Sequence, residues 1–255
     1  MPWNPELYNQ FKQIRYKPFY DLVNLISAEN VKNCVDIGCG TGEQTSILSE
    51  KFENVNFLGI DSSEEMLNES NQFTKDNLHF EWVTIEEFAH STLTWDLIFS
   101  NAALQWSDNH AVLFPKLIAN LNSGGQFAVQ MPFQPENVLN TILLEIVTEK
   151  PFVDLLRGFI RNSPVLTIDD YTKLLFDCGL KGLNVSLKVY PIIATSEIEL
   201  YNFISGSALI PYMERLDRAG QELLKSVFIQ RIQTHFISFP AIYPFKRILM
   251  YGVSG

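Results

Sequence analysis

Residues 35–42 read Val35-Asp36-Ile37-Gly38-Cys39-Gly40-Thr41-Gly42, an apolar run that opens into alternating glycines. A helical pattern, Glu43–Phe52, follows directly. No other stretch constrains the fold as strongly. Glycine reaches backbone conformations closed to other residues and lets a ligand approach the main chain. The helix behind it begins with N–H groups that lack helical partners. Strand, glycine turn and helix in this order make a ligand site at the carboxyl end of a strand.

The rest of the first half repeats the alternation. Strand candidates are Asn33–Gly38, Val55–Asp61, Leu78–Thr84, Trp95–Asn101 and Gln126–Met131. Helical segments start near Ser63 and run over 109–121, the second leading through Asn122-Ser123-Gly124-Gly125 into the fifth strand. After Pro132 the pattern loosens. Residues 134–178 read as helices broken at Pro135, Pro151 and Pro164, then Gly182–Ala194 as a strand, 196–239 as helices and Phe245–Val253 as the last strand. Strands alternating with helices imply crossovers and a largely parallel sheet. The expected fold is α/β, Rossmann-like and doubly wound: a mostly parallel seven-stranded sheet with an antiparallel last strand and helical lid inserts. The chain is read as one domain, 1–255. Residues 1–30 form a cover helix and 31–132 the ligand-binding core. Residues 133–180 and 196–240 are helical substrate covers, and 182–194 and 245–253 are the last strands.

A formal net charge of −10 argues against nucleic acid, whose phosphates need a basic surface. The three cysteines, Cys34, Cys39 and Cys178, suggest neither a disulfide framework nor a metal site. The start, Met1-Pro2-Trp3-Asn4-Pro5, lacks the basic residues and apolar run of a signal peptide, and no apolar stretch is long enough to span a bilayer. The expectation is a cytoplasmic protein with no membrane partner.

Two features separate the loop from a dinucleotide site. The spacing is Gly-x-Gly-x-Gly, with Glu43 where the dehydrogenase fingerprint puts its third glycine. Asp36 also stands in the approach, where a carboxylate repels a pyrophosphate and attracts a cation. A nicotinamide-dependent oxidoreductase is thereby disfavoured. S-adenosylmethionine carries an ammonium and a sulfonium and no phosphate. Asp61 ends the second strand, in position to accept both hydroxyls of a ribose.

Loop, Asp36 and Asp61 together resemble class I S-adenosylmethionine-dependent methyltransferases over roughly residues 30–132. The resemblance implies S-adenosylmethionine as cofactor and S-adenosylhomocysteine as product. It places the loop residues Gly38, Cys39, Gly40 and Thr41 at the methionine end and Asp61 at the ribose, with Gln44, Ser62 and Met66 among the cofactor-binding residues. Thr84 or Glu86 stands where the family often has an adenine-binding aspartate, with Ile85 against the ring. Asn101, Ala102 and Gln105, after the fourth strand, complete the set. The stretches Trp3–Pro18 and 97–132, with Pro244-Phe245, are similar to trans-aconitate methyltransferases.

Carboxyl methyltransferases of the juvenile-hormone-acid type pair an N-terminal Gln with a Trp after the fourth strand. Gln13 and Trp106 occupy comparable places, and both can donate hydrogen bonds to a carboxylate. Arg15 is a fork for the carboxylate of either cofactor or substrate, unless it is a solvated helix residue. Tyr8 is placed to close over the same pocket. A carboxylate nucleophile is already ionised at neutral pH, so no base is needed. His79, His90, His110 and His235 form no base constellation, and His110 reads as a helix-start residue. Ile210 stands where the trans-aconitate enzymes carry Arg, which favours a less charged acid, with Arg157, Arg161 or Arg215 as substitutes. The expected function is carboxyl O-methylation of a small organic acid, trans-aconitate-like or a more apolar monocarboxylate. The alternatives are methylation at another atom and a non-catalytic S-adenosylmethionine-binding module.

Overall fold

The computed structural model describes residues 12–255, apart from the side chains of Lys12, Gln13 and Arg15. The chain divides into two compact units. One is made of Pro18–Pro132, Pro164–Lys188 and Arg247–Gly255; the other takes in Phe133–Ser163, Val189–Lys246 and residues 12–17.

The sheet is mixed and has seven strands, of which residues 189–194 and 241–246 are counted with the second unit. The strands are β1 (Asn33–Ile37), β2 (Asn56–Asp61), β3 (Leu78–Trp82), β4 (Trp95–Asn101), β5 (Leu121–Pro132), β6 (Leu180–Ala194) and β7 (Ala241–Ser254). Their order is β3-β2-β1-β4-β5-β7-β6. The strands β1 to β5 pair in parallel and β7 runs antiparallel to β5. Strand order reverses between β1 and β4, so their carboxyl ends diverge and leave a crevice.

Helices cover both faces of this sheet. Two of them, α1 (Lys12–Val23) and α2 (Glu43–Lys51), bring Phe19, Leu22 and Leu48 onto Leu97, Phe99, Ala128 and Leu249. The rings of Phe19 and Phe99 meet edge to face at 5.9 Å. After α3 (Glu64–Ser70) and α4 (Ile85–Phe88) come α5 (His110–Ala119) and, later, α8 (Ile168–Asp177). On the opposite face Phe114 of α5 packs on Phe127 of β5 and Tyr171 of α8. Strands buried on both faces read as continuous apolar runs, which is why β1 and β4 stand out in the sequence.

Two strand starts differ from the sequence expectation by four residues or more. Asn122–Gly125 is not a loop before β5 but an irregularity inside it, between the pairs Trp95–Leu121 and Leu97–Gln126. The Asn122 amide donates to Asp96 at 2.7 Å, and Gly124 takes a φ of 75° there. Side-chain bonding and a left-handed glycine let the ladder resume after the bulge. The last strand starts at Ala241 rather than Phe245, with Pro244 inside it.

The second unit is mainly helical: α6 (Val138–Thr148), α7 (Phe152–Leu155), α9 (Glu197–Ser205), α10 (Ile210–Met213) and α11 (Arg218–His235). Residues Leu139, Ile142, Leu143 and Ile146 recur at helical spacing on α6, as Leu224, Phe228 and Ile232 do on α11. They share one core with Leu200, Ile204, Tyr243 and Phe245. Among the described residues no helix is long and apolar enough to cross a membrane.

Candidate active site

The glycine loop is tied to the end of β2 by three hydrogen bonds. Gly38 N–H and Cys39 N–H donate to the Ile60 carbonyl at 2.8 and 3.0 Å. Asp61 then accepts Gly40 N–H on one carboxylate oxygen and Ser63 N–H on the other, both at 2.9 Å. A carboxylate offers roughly four lone-pair sites, so both oxygens can still accept from a ligand. Gly38 has a φ of +75°, and a methyl added to it would lie 2.1 Å from the Ala103 methyl. The loop after β1 and the loop after β4 thus touch where only a hydrogen fits.

Asp36 is buried beneath the loop, not set in its wall. It accepts a hydrogen bond from the Thr45 hydroxyl at 2.6 Å. Burial pushes its carboxyl up to about 7, the nearby Asp61 charge adds to this, and the Thr45 bond opposes it. Burial also raises the Cys39 thiol well above its usual range, so the thiol stays neutral.

Beyond Asp61, Ser63 caps α3 by accepting from Met66 N–H at 3.3 Å. This brings the Met66 sulfur to 3.6 Å from where a Gly40 Cβ would be. The Ser62 carbonyl accepts from the Trp82 indole at 2.9 Å, and Trp82 is registered against Asp61 across the β2–β3 pair. Trp82 is exposed. Its signal in the sequence is an indole at the carboxyl end of the strand beside Asp61. Thr84 starts α4 with a reciprocal cap: its hydroxyl donates to Glu87 at 2.8 Å and accepts Glu87 N–H at 3.1 Å. Only one lone pair of that hydroxyl stays open. The Thr84 backbone N–H, which donates to the Glu87 carboxylate at 3.0 Å, and the Thr84 hydroxyl hold that carboxyl below its ordinary range. Ile85 is half-buried beside it and Glu86 exposed.

Past β4, Ala102 adopts a φ of 58°, and its N–H donates to the Gln130 carbonyl at 2.8 Å. A one-turn helix, Leu104–Trp106, follows. Gln105 is buried; its amide N–H donates to the Ala102 carbonyl at 2.6 Å and its carbonyl oxygen has no partner among the described residues. Trp106 projects from this turn with 41% of its surface exposed. The turn is pinned from below. His110 Nε2 lies 2.9 Å from the Leu104 carbonyl, which can only accept, so Nε2 carries the proton. Nδ1 then accepts from the Tyr171 hydroxyl, whose oxygen in turn accepts Leu166 N–H at 3.2 Å. Burial lowers the His110 pKa, which keeps the ring neutral. His110 is the first residue of α5 and a strut, not a base.

Residues 28–155 match the family described as "Methyltransferase domain". A trans-aconitate 2-methyltransferase of Deinococcus radiodurans is 38% identical, across 98% of this chain and 97% of the relative. The chain belongs to this methyltransferase family. It is an S-adenosylmethionine-dependent enzyme. The trans-aconitate 2-methyltransferase of Escherichia coli O1:K1 / APEC is 29% identical over 92% of the chain and 90% of the relative. Among solved structures, the YcgJ protein from Bacillus subtilis superposes with a TM-score of 0.63 at 15% identity, covering 94% of this chain and 98% of its own. The plantazolicin methyltransferase BpumL, solved with S-adenosylhomocysteine, gives 0.52 at 14% identity over 98% and 86%.

The site of this methyltransferase suits such a cofactor on its own chemistry. It offers a glycine cradle that a Cβ would fill, an acid with open acceptors and a buried amide oxygen with no partner among the described residues. Gly38, Cys39, Gly40, Asp61, Asn101, Ala102 and Gln105 come together in one unit with Gln44, Ser62, Met66, Thr84 and Ile85. Thr41 is half-buried in the same loop. Tyr8 and the side chains of Gln13 and Arg15 lie outside the described residues.

Proposed function

We propose that this methyltransferase methylates a carboxylate oxygen of a small organic acid. The observation that carries the reading is the 38% identity to a trans-aconitate 2-methyltransferase along nearly the whole of both chains. Trans-aconitate is therefore one candidate acceptor and a more apolar monocarboxylate the other. In favour of the latter, Ile210 adds no charge where the resemblance to the trans-aconitate enzymes implies an Arg.

S-adenosylmethionine supplies an electrophilic methyl group on a cationic sulfur. The glycine loop, Gln44 and Gln105 hold its amino acid end, Asp61 accepts the ribose hydroxyls, and Met66 and Ile85 line the base. Trp106 donates its indole N–H to the acceptor carboxylate and turns one oxygen toward the methyl. The His110–Tyr171 strut keeps the Trp106 turn in place. No side chain has to remove a proton, because the acceptor is ionised at neutral pH. An apolar enclosure favours a step in which opposite charges cancel.

The test is a panel of acids with labelled methyl donor, containing trans-aconitate and several fatty and aromatic monocarboxylates. The expected product loses its label in mild alkali, as a methyl ester does. A label that survives alkali places the methyl on another atom and overturns the carboxylate reading. In the same assay Trp106→Phe should bind S-adenosylhomocysteine as the wild type does. It should turn over about 30- to 1,000-fold more slowly, since loss of a donor acting in the transition state costs roughly 2–4 kcal/mol. Unchanged kcat would reduce Trp106 to packing.

A further inference from the structure

A chain of hydrogen-bonded amides crosses the carboxyl end of the sheet. Arg247, on β7 and buried, donates from a guanidinium nitrogen to the Gln130 side-chain oxygen at 2.7 Å. The Gln130 amide N–H donates to the Asn101 side-chain oxygen. The Asn101 amide N–H donates to the Gln44 side-chain oxygen at 2.7 Å. The strands set these contacts: Asn101 is registered against Gln130, and Arg247 stands two residues along from the partner of Gln130. Gln130 is fully buried, Asn101 and Gln44 half-buried, and Gln44 lies in the first turn of α2 behind the glycine loop.

The direction of the chain is not free. A guanidinium can only donate, so Gln130 must turn its oxygen to Arg247 and its N–H to Asn101. Asn101 and Gln44 must follow in the same sense. We infer that Arg247, acting through Gln130 and Asn101, sets the Gln44 amide with its N–H group outward, as a donor to the carboxylate at the amino acid end of the cofactor. Arg247 and Gln130 are positioning residues; neither has to touch the ligand. The inference rests on the proposal that Gln44 faces that end.

Gln130→Glu reverses the polarity at the same shape. A carboxylate still accepts from Arg247 but cannot donate to Asn101. Asn101 then offers its N–H to Glu, and Gln44 offers its N–H to Asn101. The ligand now meets the Gln44 oxygen. Gln130→Met only breaks the chain and leaves Asn101 and Gln44 unconstrained.

Calorimetry should read S-adenosylhomocysteine and methylthioadenosine, which lacks the amino acid, on each variant, with Tm measured alongside. The expected order of affinity for S-adenosylhomocysteine is wild type, then Gln130→Met, then Gln130→Glu, the last weaker by at least tenfold. Methylthioadenosine affinity should be unchanged throughout. A packing role gives the opposite order, because Gln130→Met removes a hydrogen bond from the buried Arg247 guanidinium whereas Gln130→Glu keeps it. That order, or equal losses for both ligands, overturns the inference. Should Gln130→Glu fail to fold, Asn101→Asp forces the same turn of Gln44 without altering the Arg247 contact, and the same tenfold, ligand-selective loss is expected. Gln44→Leu separates the two levels. If it weakens S-adenosylhomocysteine while Gln130→Glu does not, the Gln44 contact stands and the relay falls. If Gln44→Leu changes nothing, both fall.

Discussion

Gly38→Ala is expected to abolish measurable S-adenosylhomocysteine binding and to destabilise the fold by about 2–5 kcal/mol, the sum of a left-handed non-glycine residue and an overpacked contact. The added methyl would sit 2.1 Å from the Ala103 methyl. Alanine has no rotamer to move, so the loop after β1 or the loop after β4 must shift as a whole. Both line the proposed cofactor site, and either shift breaks the cradle. Gly124→Ala is the matched control. Gly124 has the same φ of +75° but nothing within 4 Å of its added methyl. It should cost only about 1–2 kcal/mol and leave binding intact. Urea titration and calorimetry on the two variants check this. Equal destabilisation, with binding retained in both, would mean that the Gly38–Ala103 contact does not shape the site.

The reason this loop was readable is local. Glycines, a strand and a helix start lie within a few residues, and Asp61 lies at the end of the next strand. The same holds for the core, where burial on both faces writes β1 and β4 as apolar runs. What escaped the sequence is set by groups far apart along the chain. Gln130 meets Arg247 across 117 residues, and only the antiparallel register of β7 brings them together. Trp82 gains its place from pairing with Asp61, and Asn122 joins β5 because Asp96 can hold it. Thr84 shows a different limit. Its position fits an adenine contact, yet Glu87 three residues on already takes most of its hydroxyl. Position along a motif predicts proximity to a ligand; it does not say which hydrogen bonds a side chain has already spent.

Asp36 makes the point with the largest electrostatic consequence. Read as a carboxylate in the approach, it attracts a cation. In the structure it lies under the loop, bonded to Thr45, and burial lifts its pKa from 3.8 to about 7. An acid whose folded pKa is raised binds its proton more tightly in the folded state. Its contribution is fully present below the unfolded value, near pH 4, and is lost as pH rises to about 7. The span is worth about 4 kcal/mol at 1.36 kcal/mol for each pH unit. The cofactor-free enzyme should therefore lose stability steadily between pH 4 and 7 through this one group. Asp36→Asn keeps the shape and can still bond Thr45, but has nothing to ionise. At pH 8 it should be more stable than the wild type by about 2–4 kcal/mol, and the difference should vanish near pH 4. Urea titrations of both proteins at the two pH values check this. A cationic ligand over the loop favours the ionised acid. S-adenosylmethionine affinity should accordingly rise from pH 6 to 8 more than that of S-adenosylhomocysteine, whose sulfur is neutral. Asp36→Asn should remove that difference. A variant no more stable than wild type at pH 8 would mean that Asp36 is ionised in the folded enzyme throughout. A ligand difference that survives in Asp36→Asn would mean that the cation selectivity has another source.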